Sequence, residues 1–127
     1  MMPLDKILLV DDDRATNFYN RIMLKDNNID CAVLEALDGQ EALTHIRNGE
    51  RCPDVILLDI NMPGIDGFEF LNQLEQGGKC CDHVSVYMLT SSTRDEDKSA
   101  ALSHHSVKGF FEKPLSDTHL AEILKGV

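Results

Sequence analysis

Three short, largely apolar runs interrupt an otherwise mixed sequence: Ile7 to Val10, Val55 to Leu58 and Val84 to Leu89. Each is followed at once by a polar residue, respectively Asp11, Asp59 and Thr90. Near-continuous apolar runs of this length are the signature of strands buried on both faces. Cys31 to Ala36 and Gly109 to Glu112 form two weaker candidates. Between the runs the period changes to that of a helix. Ala15, Phe18 and Ile22, with Tyr19 and Met23, recur at three- and four-residue steps and predict one buried face. Ala42, Leu43 and Ile46 predict a second helix ending near Gly49, and Phe70 and Leu74, with Phe68 and Leu71, a third closed by Gly77-Gly78. Leu120, Ile123, Leu124 and Val127 mark a last helix, capped by Ser116 or Asp117. The segment from Asp95 to His104 carries little apolar surface beyond Ala100, Ala101 and Leu102, and predicts a lightly anchored helix.

The resulting order is strand-helix five times over. That alternation predicts an α/β fold, a doubly wound parallel sheet with helices on both faces and right-handed crossovers. With 127 residues the chain fits one domain, 1–127. In open sheets of this kind ligands bind outside the carboxyl ends of the strands. The fold expectation is therefore also a site expectation.

Four strand ends carry chemistry: Asp11-Asp12-Asp13 after the first run, Asp59 after the third, Thr90 after the fourth, and Lys113-Pro114 after the fifth. Strands end in polar residues wherever they meet water, so any one of these is unremarkable by itself. Acids, a hydroxyl and an ammonium converging on one rim are a different matter. Two unit charges 4 Å apart repel by about 4 kcal/mol at an effective dielectric of 20. A divalent cation relieves that repulsion, and hard oxygen ligands suit Mg²⁺. A carboxylate is ionised at neutral pH and attacks phosphorus without a general base. Asp59, on the middle strand, is the natural nucleophile, while Asp11 and Asp12 are placed to hold the metal. Lys113 would neutralise charge on the transferring oxygens.

Several motifs together resemble the receiver-domain family of response regulators, the CheY-like family. They are Ile7-Leu8-Leu9-Val10-Asp11-Asp12, the segment Leu57 to Gly67 containing Asp59-Ile60-Asn61-Met62-Pro63-Gly64, Met88-Leu89-Thr90-Ser91, and Gly109-Phe110-Phe111-Glu112-Lys113-Pro114. The resemblance covers essentially the whole chain. It implies a (βα)₅ fold of strand order 2-1-3-4-5 and a role in a two-component phosphorelay. It implies that Asp59 is phosphorylated, that Asp12 and Asp59 ligate Mg²⁺ with Asp11 assisting through water, and that Asn61 adds its backbone carbonyl. Thr90 and Lys113 would bind phosphoryl oxygens, Lys113-Pro114 would be cis, and Phe110 would be the aromatic switch. The partners implied are a sensor histidine kinase or histidine phosphotransfer protein, and a downstream target on the face of the fourth helix, fifth strand and fifth helix. The domain would be no turnover enzyme, performing only phosphoryl acceptance and autodephosphorylation, as a monomer or a weak phosphorylation-dependent dimer. Two departures stand out: His105 replaces the glycine that commonly closes the fourth helix, and Phe110 carries no hydroxyl.

Charge narrows the partners. With 22 acidic residues against 12 basic, the net charge is −10, a field that repels nucleic acid and anionic membrane surfaces. The first apolar run is too short for a leader or a membrane span, giving a cytoplasmic expectation. Cys31, Cys52, Cys80 and Cys81 show no zinc-ligand spacing; free thiols are expected, with a vicinal Cys80–Cys81 disulfide as the alternative. His45, His83, His104, His105 and His119 are expected to be exposed and unspecialised. Two other functions compete: a phosphatase sharing the nucleophile, metal and lysine, and a flavin carrier that can share the topology. A phosphatase with an aspartyl-phosphate intermediate would need an Asp-x-Asp at the nucleophile, which Asp59 lacks. A flavin carrier would need an amide-rich phosphate loop where Asp11-Asp12-Asp13 stands. A degenerate receiver used only for binding would not need all four charged and hydroxyl positions.

Overall fold

The apolar runs form the central strands. In the computed structural model, which describes residues 4–49, 51–76, 80, 83–92 and 94–126, β1 (Lys6–Val10), β3 (Val55–Leu58) and β4 (Ser85–Thr90) lie at the centre of a five-stranded sheet. β2 (Ala32–Ala36) and β5 (Val107–Glu112) form its edges, and the order is β2-β1-β3-β4-β5 with every pairing parallel. All four residues of β3 are buried, as a strand covered on both faces requires. The side chains divide by alternation. Leu8, Val10, Ile56, Leu58, Val86 and Met88 point to one face; Ile7, Leu9, Val55, Leu57, Tyr87 and Leu89 point to the other.

The first face is covered by α2 (Gly39–Asn48), α3 (Gly67–Glu75) and α4 (Asp95–Leu102), which contribute Ala42, Ile46, Phe70, Leu74 and Ala101 to its core. The second is covered by α1 (Arg14–Asp26) and α5 (Asp117–Lys125) through Leu24, Leu120 and Ile123. Four helices start with a side-chain cap: Asp13 accepts from the Ala15 amide, Asp38 from Glu41, Asp66 from Glu69 and Ser116 from His119. Such a cap contributes about 1 kcal/mol. Helix α4 has none, and Ala101 is its single buried residue. The light anchoring expected from its composition is what the structure shows. Its end needs no left-handed residue: Ser103 caps it in a right-handed conformation, and His105 is not among the positive-φ residues.

Three expectations are corrected. The apolar stripe of α1 faces outward, with Phe18 61%, Tyr19 42% and Ile22 39% exposed, while Asn17, Asn20 and Leu24 are buried. The reason is hydrogen bonding. The Asn17 Nδ2 donates to the carbonyls of Asp11 (3.0 Å) and Ala36 (3.3 Å), sewing the helix to the ends of β1 and β2. Second, Cys52 and Cys80 form a disulfide, their Cα atoms 5.5 Å apart, within the usual bridging distance. Closing a loop across 28 residues stabilises by about 3–4 kcal/mol in the chain-entropy picture. Cys31 is free, and Cys81 lies outside the described residues. Third, several histidines are engaged. His45 Nε2 lies 3.2 Å from the Glu35 carbonyl, His104 Nδ1 2.7 Å from Glu75, and His119 stacks on Phe111 with ring centroids 4.3 Å apart. Gly77-Gly78 and Val127 lie outside the described residues; α3 ends at Glu75 with Gln76 as its cap.

Candidate functional site

The hydrogen-bond ladder continues past the strands and thereby aligns their polar successors. The Asp11 amide donates to the Ala36 carbonyl (3.1 Å), the Asp59 amide to Val10 (3.0 Å) and the Lys113 amide to Thr90 (2.9 Å). Asp11, Asp59 and Lys113 are therefore held by main chain at one edge of the sheet. Behind Asp59 the chain must turn into α3 at close quarters. The Gly67 amide donates to the Ile60 carbonyl at 2.8 Å. A Cβ on Gly67 would stand 2.5 Å from the Asp59 carbonyl oxygen, so only glycine fits. Gly64 supplies the positive φ (73°) of the intervening turn.

The side chains converge as the sequence implied. Lys113 Nζ lies 2.5 Å from Asp11 Oδ2 and 3.1 Å from Asp59 Oδ2. The other oxygens are also engaged: Asp59 Oδ1 accepts from the Ile60 amide at 2.8 Å, and Asp11 Oδ1 from the Asp13 amide at 2.9 Å. Asp11 and Asp59 are buried, whereas Asp12 stands exposed at the rim. Each of the three offers a carboxylate oxygen, and these oxygens all lie within 4.8 Å of one another. Three carboxylates facing one ammonium leave an excess of negative charge. Burial pushes the Asp11 carboxyl above its ordinary pKa, although Lys113 and the Asp13 amide pull the other way. Burial also works against the Lys113 charge, but the neighbouring Asp11 and Asp59 outweigh it and hold the ammonium above its usual value. An acidic cluster of this kind could bind a metal, and the donor set is all oxygen, as hard divalent cations prefer.

Thr90 is fully buried at the end of β4, its hydroxyl accepting from the Ser92 amide at 3.2 Å. Phe110 pairs in register with Met88, is half-buried against the core, and lines a shallow cavity with Ser92, Arg94, Lys98 and Glu112. Asn61 is exposed two residues after Asp59. The Lys113–Pro114 peptide is cis. Sequence reasoning missed Asn17, which holds the chain at Asp11; Ser92, near the pocket, donates its hydroxyl to Asp97 at 2.6 Å. For Asn17 the signal was a polar residue on the helical period of the buried Asn20 and Leu24. A cleft of about 370 Å³ opens beside Lys113, between α1 (Ala15, Thr16, Tyr19, Asn20) and Pro114-Leu115.

A five-stranded sheet in this order, bearing this acid-lysine edge, defines a class, and the comparisons agree. The model of the response regulator receiver domain matches residues 7–125, and the chain belongs to that family. It is 32% identical over 124 residues to the sensor histidine kinase CheAY of Helicobacter pylori, covering 97% of this chain and 15% of that protein. Among solved structures it resembles a two-component response regulator from Cytophaga hutchinsonii, with a TM-score of 0.88, 28% identity, and 98% and 97% of the two chains covered. It also resembles the phosphorylated cyanobacterial phytochrome response regulator RcpA, with a TM-score of 0.79, 28% identity, and 97% and 90% coverage. The chain spans about half or less of the length of several curated relatives.

Proposed function

We propose that Asp59 is the phosphoacceptor of this receiver domain, and that its phosphorylation is Mg²⁺-dependent and shifts the domain between two conformations. One observation carries the reading. Asp59 is buried at the carboxyl end of the central strand, with an oxygen 3.1 Å from Lys113 Nζ and two further acids within 4.8 Å. Asp11, Asp12, Asp59 and the Asn61 carbonyl would hold the cation. When bound, it neutralises the acids and the charge spread over the transferring phosphoryl group.

Asp59 Oδ would form the new P–O bond as the P–N bond of a partner's phosphohistidine breaks, the imidazole leaving with a proton from solvent. Lys113 stabilises the non-bridging oxygens. Once Asp59 carries the phosphoryl group as an acyl phosphate, Lys113 and the Thr90 hydroxyl each donate a hydrogen bond to it. Charge-assisted bonds contribute about 1.5–3 kcal/mol each. Moving an equilibrium from 1:99 to 99:1 takes about 5.5 kcal/mol, so two such bonds suffice for a large shift. Thr90 moves towards the phosphoryl group, Phe110 turns into the space it leaves, and the face of α4, β5 and α5 carries the change to a protein target.

The phosphodonor is a sensor histidine kinase or histidine phosphotransfer protein. Its docking surface includes exposed Phe18, Tyr19 and Ile22 of α1, beside the cleft that reaches Lys113. The domain works in the cytoplasm and turns over no external substrate beyond its own phosphoryl group. Among the described residues no helix is long and apolar enough to cross a membrane. Intact mass after incubation with acetyl phosphate and Mg²⁺ tests the reading. One phosphoryl adduct is expected, absent without Mg²⁺ and absent in Asp59→Asn. An adduct that survives in Asp59→Asn would move the acceptor elsewhere. No adduct together with no beryllofluoride binding would make the domain a binding module only.

A further inference from the structure

We propose that Cys52 and Cys80 form a reversible thiol–disulfide site whose oxidation state sets how firmly helix α4 is held. The inference does not depend on the chemistry of Asp59. Both cysteines lie at the amino-terminal end of the sheet, Cys52 just before β3 and Cys80 before β4, with Cα atoms 5.5 Å apart. The bond therefore forms at the edge opposite the acidic cluster. Cys80 is buried and Cys52 half-buried, so the bridge lies nearer the surface on its Cys52 side. Cys31, before β2, is free.

The route to α4 is short. Cys80 belongs to the same packed cluster as Leu74 of α3, Ala101 of α4 and Val107 of β5. Ala101 is the one buried residue of α4, and the helix's N-cap residue, Arg94, makes no side-chain capping bond. What fixes its far end is Glu75, the last residue of α3. One Glu75 oxygen accepts from the Ser106 amide at 3.1 Å and from the Ser106 hydroxyl. The other lies 2.7 Å from His104 Nδ1. Helix α4 is thus tied down by a residue five positions from Cys80, and the bridge ties Cys80 to the start of β3. Without it, Cys80 keeps its packing and the hydrogen bond its carbonyl accepts from the His83 amide (3.2 Å), while the cluster that holds Ala101 loses a covalent tie to the start of β3.

The chemistry balances with a low-molecular-weight disulfide such as oxidised glutathione. One cysteine thiolate attacks it, forming a mixed disulfide and releasing one glutathione thiol. The second cysteine attacks the mixed disulfide, closing the Cys52–Cys80 bond and releasing the other thiol. The two electrons and two protons lost by the cysteines appear on the two released thiols, and reduced glutathione reverses both steps. In a reducing compartment such a bond is transient and suits a sensor.

The test uses the full chain, unphosphorylated, equilibrated in reduced or oxidised glutathione buffers. Peptide mapping after alkylation reads the linkage, and amide hydrogen exchange reads residues 101–107. A Cys52–Cys80 linkage is expected in the oxidising buffer, with exchange at 101–107 slower by about tenfold or more than in the reduced protein. Cys52→Ser should exchange at the reduced rate in both buffers, and Cys81→Ser should respond as the parent does. The proposal fails if the oxidised protein carries no linkage, or a Cys80–Cys81 linkage. It fails equally if the Cys52–Cys80 bond forms and exchange at 101–107 does not change. Wild-type protein alone decides the matter, so a poorly folding variant would not obscure the outcome.

Discussion

Two carboxylates, the buried Asp11 and the half-buried Glu75, have side chains 5% and 14% exposed and are shifted in opposite directions. Burial opposes ionisation in both. At Glu75, hydrogen bonds from the Ser106 hydroxyl and amide and from His104 outweigh burial, and the pKa falls below its ordinary value. At Asp11 burial wins: Lys113 is shared with Asp59, whose charge repels Asp11, and the pKa rises. Glu75 has its donors supplied by the fold. Asp11 belongs to a cluster in which three carboxylates face a single ammonium. A site of the second kind is costly in the free protein, and a cation would relieve it, as the proposed switch requires.

The most forceful way to break this comparison is to remove Lys113. In Lys113→Met the buried Asp11 and Asp59 lose their shared cation. Loss of one partner of a buried pair costs about 3–5 kcal/mol, and the value here should fall towards the lower end because Lys113 is 23% exposed. Urea denaturation should show this loss, with Mg²⁺ restoring part of it. No loss without Mg²⁺ would mean that the edge is not under the tension described. Next in size is Glu75→Leu, which leaves the Ser106 amide and His104 without their acceptor. A cost of about 1–3 kcal/mol is expected, and unlike Lys113→Met it should be insensitive to Mg²⁺.

Acid sharpens the same contrast. Glu75 has a depressed folded pKa, so its contribution is complete above the unfolded value of 4.5 and is lost as pH falls through the lower folded value. Asp11 has a raised folded pKa, so its contribution is complete below 3.8 and is lost as pH rises through the folded value. Between pH 5 and 3, Glu75→Leu should therefore show a flatter loss of stability than the parent. An equally steep loss would place the acid sensitivity elsewhere.

The sequence showed the site more clearly than it showed the pairings that hold the rest of the molecule together. Asp11, Asp59, Thr90 and Lys113 each follow an apolar run, and a parallel ladder brings such positions to one edge whatever the details of the helices. Helix α1 was misread because period alone cannot tell which side of a helix is buried when that side carries asparagine. Phe18 and Ile22 had the right spacing for a core. Asn17, bonded to the carbonyls of Asp11 and Ala36, had the better claim. Cys52–Cys80 and Glu75–His104 were invisible for another reason. Their members stand 28 and 29 residues apart, a separation with no local period and no short motif.

His119 completes the comparison as a group satisfied only when neutral. Its ring stacks on Phe111, and its Nδ1 accepts from the Ser116 amide at 3.1 Å while the Ser116 hydroxyl accepts from the His119 amide. Burial lowers its pKa, with the Glu122 charge opposing. Its contribution to stability is complete above the unfolded value of 6.5 and is lost as pH falls below it through the lower folded value. Protonation also removes the acceptor from the capping box, an arrangement whose cap contributes about 1 kcal/mol. Glutamine at this third helical position keeps an acceptor and cannot titrate. His119→Gln should therefore remove a loss of about 1 kcal/mol or less between pH 7.5 and 5.5, measured by urea denaturation at both values. If parent and variant lose stability equally over that range, the capping histidine is not the group that responds, and α5 is held by Leu120 and Ile123 without help from its first turn.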